Sequence, residues 1–398
     1  TAQQRFLVLF DADRIKEYVF ATGRLKEIRG ASAQIRALTS DPLVSISTAG
    51  WSPRQPFDPI YSGGGAGAFL FDDKHDASEF CLRFERLVRQ ETGSTSLSAV
   101  YVPIHGDDLA AAQTRAAQRL AAHKKSRPHA EQIAGGGYLR FCDSDRLYPA
   151  ACSERDPDQP SEPALFSQSS TIKRTASKSY RHQLEEQLFW KELMHLQPDD
   201  KARQDWQAAI SEAQNFEAIG MQSTPPNYIG FLHADGDGMG TLIRTIVETY
   251  GLDGYKKISS AIDEAAHYAT AHALHAAYPL PGKELPFEVI TIGGDDIMLV
   301  CTADAVLGIA ASISQSFAAR LEPIIKELLG TQAVPPSASV GVVIAHTSHP
   351  IINMQQRATE LLKRAKHVPR TIGIRDGYID FHIAVSYTHL TLPTNREV

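Results

Sequence analysis

At 398 residues the chain has room for two or three domains, each with its own hydrophobic core. Its 43% hydrophobic and 22% charged residues are those of an ordinary globular protein, and no stretch has the uninterrupted apolar length of a membrane helix. A net charge of −6 argues against a protein coated in nucleic acid, and four scattered cysteines (Cys81, Cys142, Cys152, Cys301) are too few for a disulfide framework. The expected address is the cytoplasm, with no secretory leader before the first strand and no membrane partner.

The first predicted element is an apolar strand from Phe6 that runs into Asp11 and Asp13. A helical stretch follows around Arg29-Gly-Ala-Ser32-Ala-Gln-Ile35. Ser62-Gly63-Gly64-Gly65-Ala66 through Phe71 reads as a β-hairpin turning at glycines, Leu97–Ile104 as a strand and Gln113–Lys124 as a helix. His75-Asp76 falls in a predicted loop without the partner histidines of a metal nuclease, and is read as chance. Residues 131–227 read as a linker. Within it the proline-rich, acidic Ser153–Pro163 is a loop, and Ser177–Phe216, including Tyr180–Met194, is a helical insertion. Lys173, Arg174, Lys178 and Arg181, with Lys124, Lys125 and Arg127, are candidates for a basic groove but read as solvated faces.

From residue 229 the same series recurs in the same order. Ile229–Asp237 repeats Phe6–Asp13, and Lys256–Ile262 repeats Arg29–Ile35, each with a basic residue three before a serine. Ile292-Gly293-Gly294-Asp295-Asp296 repeats the glycine hairpin, Ser337–Ile344 repeats Leu97–Ile104, and Gln355–Lys366 repeats Gln113–Lys124 without a gap. Helical periodicity is plain in Leu307–Leu329 and Met354–Lys366. The expected fold is therefore α/β of the α+β kind. Two ferredoxin-like units, residues 4–130 and 228–384, each carry an antiparallel sheet with helices on one face. Residues 386–398 resemble translated sequencing-adaptor DNA; they are expected to be non-native, the natural chain continuing past about Val385.

The chemistry is concentrated in the second copy. Asp235 ends an apolar strand, and Gly236-Asp237-Gly238-Met239-Gly240 turns into a helix expected to start near Thr241. Backbone amides at such a helix start suit a triphosphate, and glycines let phosphates approach. Asp295 and Asp296 sit at a hairpin where Gly293 and Gly294 leave room for a metal. Two strand rims side by side predict that Asp235, Asp295 and Asp296 gather around one point as catalytic metal ligands. Hard oxygen donors favour two Mg²⁺ or Mn²⁺ ions over zinc. Lys366 is placed to meet a phosphate as a point charge. In the first copy Gly65 and Ala66 replace the acidic pair, so one catalytic centre and one pseudo-site are expected.

Asp-Gly-Asp-Gly-Met-Gly together with Ile-Gly-Gly-Asp-Asp, preceded by Arg24-Leu-Lys-Glu-Ile-Arg-Gly-Ala-Ser32, resembles the polymerase-like large subunit of type III CRISPR effector complexes. That family carries two palm domains related to nucleotide cyclases with a Gly-Gly-Asp-Glu-Phe motif. The resemblance implies that ATP binds between the palms and is joined into cyclic oligoadenylate, or a cyclic dinucleotide, with release of pyrophosphate. It implies that a downstream effector reads the product, and that partners include effector subunits, crRNA and target RNA. It makes Ser32 and Ser259 adenine contacts, and lets Gly63, Gly64 and Gly65 admit a second ATP. Two departures stand out: no HD nuclease precedes the first palm, and the zinc knuckle is reduced to Cys142-Asp-Ser-Asp145 and Cys152, so zinc is not expected. Other readings are a stand-alone synthase, an RNA-sensing scaffold subunit with little activity, and a diguanylate cyclase. The last is disfavoured by Ile297 where that family has an aromatic residue.

Overall fold

The computed structural model describes residues 4–106, 108–126, 139–156, 159–210, 215–282, 284–367 and 377–384. The adaptor-like segment and Arg127 lie outside them. The first copy runs β1 (Phe6–Asp13), α1 (Ile15–Val19), α2 (Leu25–Ser40), α3 (Pro42–Thr48), β2 (Phe57–Gly63), β3 (Ala66–Phe71), α4 (Lys74–Thr92), β4 (Ser96–Pro103) and α5 (Leu109–Ser126). Its antiparallel sheet has the order β2-β3-β1-β4. The connecting region holds β5 (Cys152–Asp156), β6 (Gln159–Phe166), α6 (Gln168–Ala176), α7 (Tyr180–Glu185), α8 (Leu188–His195), α9 (Asp200–Ala209) and α10 (Phe216–Met221). The second copy runs β7 (Tyr228–Gly236), α11 (Met239–Ala277), β8 (Phe287–Gly293), β9 (Asp296–Thr302), α12 (Val306–Leu329), β10 (Ala338–His346), α13 (Ile351–His367) and β11 (Ile379–Ile383). Its sheet has the order β11-β10-β7-β9-β8.

The mixed α/β class is as expected, and three details differ. Helices cover both faces of each sheet, because β1 and β7 are apolar on both sides of the pleat. Phe6, Val8 and Phe10 pack with Phe80 and Phe84 of α4, whereas Leu7 and Leu9 pack with Leu109 and Ala112 of α5. The second sheet is not wholly antiparallel, since β11 lies parallel to β10. The repeat also aligns one residue away from the sequence match. Ser96 and Ser98 oppose Asp13 and Asp11, and Ser339 opposes Asp235, so Leu97 corresponds to Ala338 and not to Ser337.

Each copy lends a helix to the other's core. Ile28 and Ile35 of α2 pack on Phe231 and Met298 of the second sheet, while Val247 and Tyr255 of α11 pack on the first. Ion pairs follow the same exchange: Arg29 of α2 binds Glu288 of β8 at 2.7 Å, and Lys256 of α11 binds Asp58 of β2. Where the exchange axis passes, the two hairpins touch backbone to backbone. A Cβ on Gly64 would lie 2.5 Å from the Gly293 Cα, so neither position accepts a side chain.

The connecting region corrects further expectations. Ser153–Asp156 and Gln159–Pro163 are paired strand, β5 with β6, and Pro163 stands opposite Arg155; this isolated two-stranded pair is all edge, where proline is tolerated. Tyr180–Met194 is two helices, broken before Leu188, not one. Lys173 and Arg174 are buried: Lys173 Nζ donates to the Tyr18 carbonyl at 2.7 Å, and Arg174 lies 3.6 Å from Glu27. Burial pushes the Lys173 ammonium down to about 8. They form neither a groove nor a solvated face. His75 and Asp76 sit in the first turn of α4, where buried Asp76 accepts from the amides of Arg54 and Gln55.

Candidate active site

β7 and β9 are adjacent antiparallel strands, and this pairing brings the Asp235 turn beside the acidic hairpin. Gly238 caps α11 in the left-handed region at φ +73, which frees the amides at Met239 and Gly240 at the helix start. The helix thus begins two residues earlier than expected. Asp237 does not face that turn. It is buried and accepts from the Ser339 hydroxyl at 2.9 Å and the Ser337 hydroxyl at 3.1 Å, so its role is to fasten β7 to β10 and it is not free to bind a nucleotide. Asp13 does the same in the first copy, with Ser96 at 2.8 Å and Ser98 at 2.9 Å.

The three carboxylates do not converge on one point. Asp296 accepts from or shares a proton with His233 Nε2 at 2.7 Å, and Lys16 of α1 reaches it at 3.6 Å from the other copy. Burial would raise its carboxyl, but the hydrogen bond and charge of His233, with the Lys16 ammonium, outweigh that and hold it below the ordinary range. Asp295 turns the other way, against the backbone of Gly236, where an added Cβ would lie 2.9 Å from its Oδ2. Burial, with the negative charges of Asp296 and Asp237, raises Asp295 to about 6. Asp235 is gripped by Lys366, whose Nζ also donates to the Gly236 carbonyl at 3.0 Å. Among the described residues no three His, Cys, Asp or Glu side chains are grouped to hold a metal.

The donor chemistry that remains still fits a hard cation. The Asp235 carboxylate and the Gly236 carbonyl already hold one cationic group, the Lys366 ammonium, and the Asp295 carboxyl sits against the same backbone. Oxygen-only donors of this kind suit Mg²⁺ or Mn²⁺. Asp296 instead contacts His233 and Lys16.

Two cavities flank the hairpin contact. One, ≈ 440 Å³, is lined by Gly63, Gly64, Ser259, Asp263, Gly294 and Asp295, and has the size of a nucleotide-class pocket. The other, ≈ 30 Å³, is lined by Lys16, Ser32, Arg36, Gly64, Gly293 and Asp296. Ser32 and Ser259 thus occupy matching places on opposite sides, but Ser32 is buried and donates to the Ile290 carbonyl. Gly65 lies on the first hairpin, packed near Ile15 and Ala12, and lines neither cavity.

Sequence reasoning missed Lys16, His233, Arg36 and Asp263. His233 lies two residues before Asp235 and so on the same face of β7, a signal that was legible. Asp263, one helical turn after Ser259, accepts from the Gly294 amide at 3.1 Å and steadies the acidic turn. Lys16 and Arg36 belong to the other copy, and nothing local announces them. In the knuckle region, Cys142 accepts from the amides of Ser144 and Asp145 at 3.4 and 3.5 Å, while the Asp145 carboxylate accepts from Ser167 and Ser170. Cys152 lies apart, against Thr171 at 3.3 Å. No helix among the described residues is long and apolar enough to cross a membrane.

Comparison with known proteins bears on the family and the fold. Residues 228–372 match the family model for the second palm domain of Cas10/Cmr2. The CRISPR system Cmr subunit Cmr2 of Pyrococcus furiosus is 26% identical over 160 residues, 36% of this chain and 18% of that protein. Crystal structures of a Csm1–Csm4 cassette in complex with cA4 (TM-score 0.58, 15% identity) and with AMPPNP (0.57, 16%) each cover 92% of this chain and 53% of theirs. Csm1 in T. onnurineus gives a TM-score of 0.59 at 16% identity, over 93% of this chain and 53% of that one. The chain spans about half the length of these solved relatives. Its second copy matches the second palm domain of Cas10/Cmr2, and 92–93% of the chain shares the fold of Csm1.

Proposed function

We propose that this chain is a metal-dependent nucleotidyltransferase that joins ATP into cyclic oligoadenylates. The observation that carries the reading is the ≈ 440 Å³ cavity in which Asp295 and Ser259 of the second copy face Gly63 and Gly64 of the first. Solved relatives of the same fold are described with AMPPNP and cA4, which supports a nucleotide there. Asp235, the Gly236 carbonyl and Asp295 would hold a divalent cation, which would supply positive charge against the phosphates and the leaving pyrophosphate. The amides at Met239 and Gly240 orient the triphosphate, and the glycine hairpin of the first copy lets an acceptor nucleotide approach. Lys366, which holds Asp235 here, would be free to meet a phosphate if a cation took its place. Ser259 reads the base. Catalysis is then mostly positioning and electrostatics.

The proposed partners are effector subunits, crRNA and target RNA, since several of these relatives were solved as Csm1–Csm4 cassettes and one is described as part of the type III-A CRISPR–Csm interference complex. Incubating purified protein with each nucleoside triphosphate and Mn²⁺, and resolving products by mass, tests the activity. Linear and cyclic oligoadenylates are expected from ATP. A guanylate dimer from GTP would instead mark a diguanylate cyclase, and no product with RNA binding intact would mark a scaffold.

A further inference from the structure

The two sheets differ at one edge. In the second copy the outer side of β10 is paired: the Val340 amide donates to the Tyr378 carbonyl at 2.8 Å, and the Ile344 carbonyl accepts from Ala384 at 2.8 Å. By the register above, the matching outward groups in the first copy are the Ala99 amide and the carbonyls of Tyr101 and Pro103. Among the described residues no strand pairs there. Side chains take its place. Glu85 accepts from the Ala99 amide at 2.8 Å, Arg119 donates to the Tyr101 carbonyl at 3.0 Å, and Arg115 donates to the Pro103 carbonyl at 3.1 Å. Alongside, between α4 and α5, runs a groove of ≈ 440 Å³ walled by Cys81, Leu82, Ala122 and His123, with Leu82 59% exposed.

We infer that this edge accepts an extended segment of a partner protein, taken up parallel to β4 as β11 is taken up by β10. An open edge is a template for a further strand, with backbone bonds giving affinity and alternate side chains giving specificity. The groups that blunt it are long side chains that can swing aside; the proline of β4, Pro103, stands at its last position and removes only the final backbone donor, and no bulge interrupts the β1–β4 pairing. Displacing them leaves two guanidinium groups and the Glu85 carboxylate to be paired again, a surplus of one positive charge. The fitting occupant is therefore an apolar strand bearing a carboxylate. The second copy contains such a strand: β11 reads Ile-Asp-Phe-His-Ile, and its Asp380 pairs with Arg364 of α13 at 3.1 Å. The inference stands independently of the nucleotide reading.

The test titrates a labelled peptide of residues 378–384 onto the whole chain by fluorescence anisotropy, with amide exchange of β4 followed by mass spectrometry. Saturable binding is expected, with slowed exchange at Ala99 and Tyr101. Leu82→Arg should weaken it about tenfold by filling the groove, and Glu85→Ala with Arg119→Ala should strengthen it several-fold by freeing the edge. Should Leu82→Arg fail to fold, the second variant decides. Binding no better than a scrambled peptide, or the same in the Glu85/Arg119 variant as in the parent, would overturn the inference. So would concentration-dependent self-association lost in Leu82→Arg, which would make a second copy of the chain the occupant.

Discussion

The two glycine hairpins share a backbone plan and differ in what they can hold. Each follows a strand whose second Asp is tied to two serines, and each faces a lysine on the last helix that grips the other Asp of its strand: Lys124 with Asp11, Lys366 with Asp235. Gly64 and Gly294 even share a φ near +60°. The difference begins one residue later. Gly65 is left-handed at φ +94, whereas Asp295 is not. The first hairpin has therefore lost more than two carboxylates; its backbone has moved to a conformation that a side chain resists. Duplication kept the residues that hold the fold and let those of the site diverge.

The largest effect should come from removing the one feature the copies do not share. Asp295→Ala is expected to lower ATP turnover roughly 10³-fold with the fold intact, as removal of a key electrostatic group commonly does. Product chromatography beside far-UV circular dichroism checks this, and turnover retained above a tenth of the parent's would reject the assignment. Asp296→Ala alone should disturb the Lys16 and His233 contacts and act through position, not cation affinity, which Mn²⁺ titration separates.

The paired interface contacts sharpen the contrast further. Arg29→Ala strands Glu288, 1% exposed, and should cost about 3–5 kcal/mol in urea unfolding. Its counterpart Lys256→Ala removes a pair whose side chains are each about a third exposed, and should cost under about 1 kcal/mol. Equal losses would mean the exchange of helices is symmetric in energy as well as in shape. Gly65→Asp, an attempt to restore an acidic hairpin, should cost about 1–3 kcal/mol and create no second site. Its Cβ would meet Ile15 at 3.1 Å on a left-handed backbone.

Smaller effects concern titration and base choice. Burial raises Asp295 to about 6 from 3.8, so the folded chain holds this proton more tightly than the unfolded one. Stability from the group is fully present below about pH 4 and is lost as pH rises through about 6. In metal-free neutral buffer Asp295→Asn should therefore be more stable than the parent by about 1–2 kcal/mol, discounted because the carboxyl is half-buried. The gap should close in acid; melting curves across pH test it. Ser259→Ala should relax the preference for ATP over GTP. Ser32→Ala, which loses its bond to the Ile290 carbonyl, should mainly cost about 1 kcal/mol of stability. A selectivity change in the Ser32 variant alone would reverse those roles.

Most strand and helix identities within the two copies, the internal repeat and the glycine-rich turn after β7 were legible in the residues themselves, because apolar periodicity, glycine at tight turns and repeated order are local properties. Lys366 and Asp235 could be singled out as candidates for the same reason, although their grip on each other could not. What tertiary structure alone decided was direction. Whether Asp295 and Asp296 face one ion or opposite sides depends on pleat and twist at a hairpin, and on Lys16 arriving from the other copy. Whether Lys173 and Arg174 are solvated or buried depends on Glu27 and Tyr18, more than a hundred residues away in sequence. Local pattern sets which face of an element is apolar; only packing sets what stands opposite the polar groups that remain, and there charge, reach and function are settled.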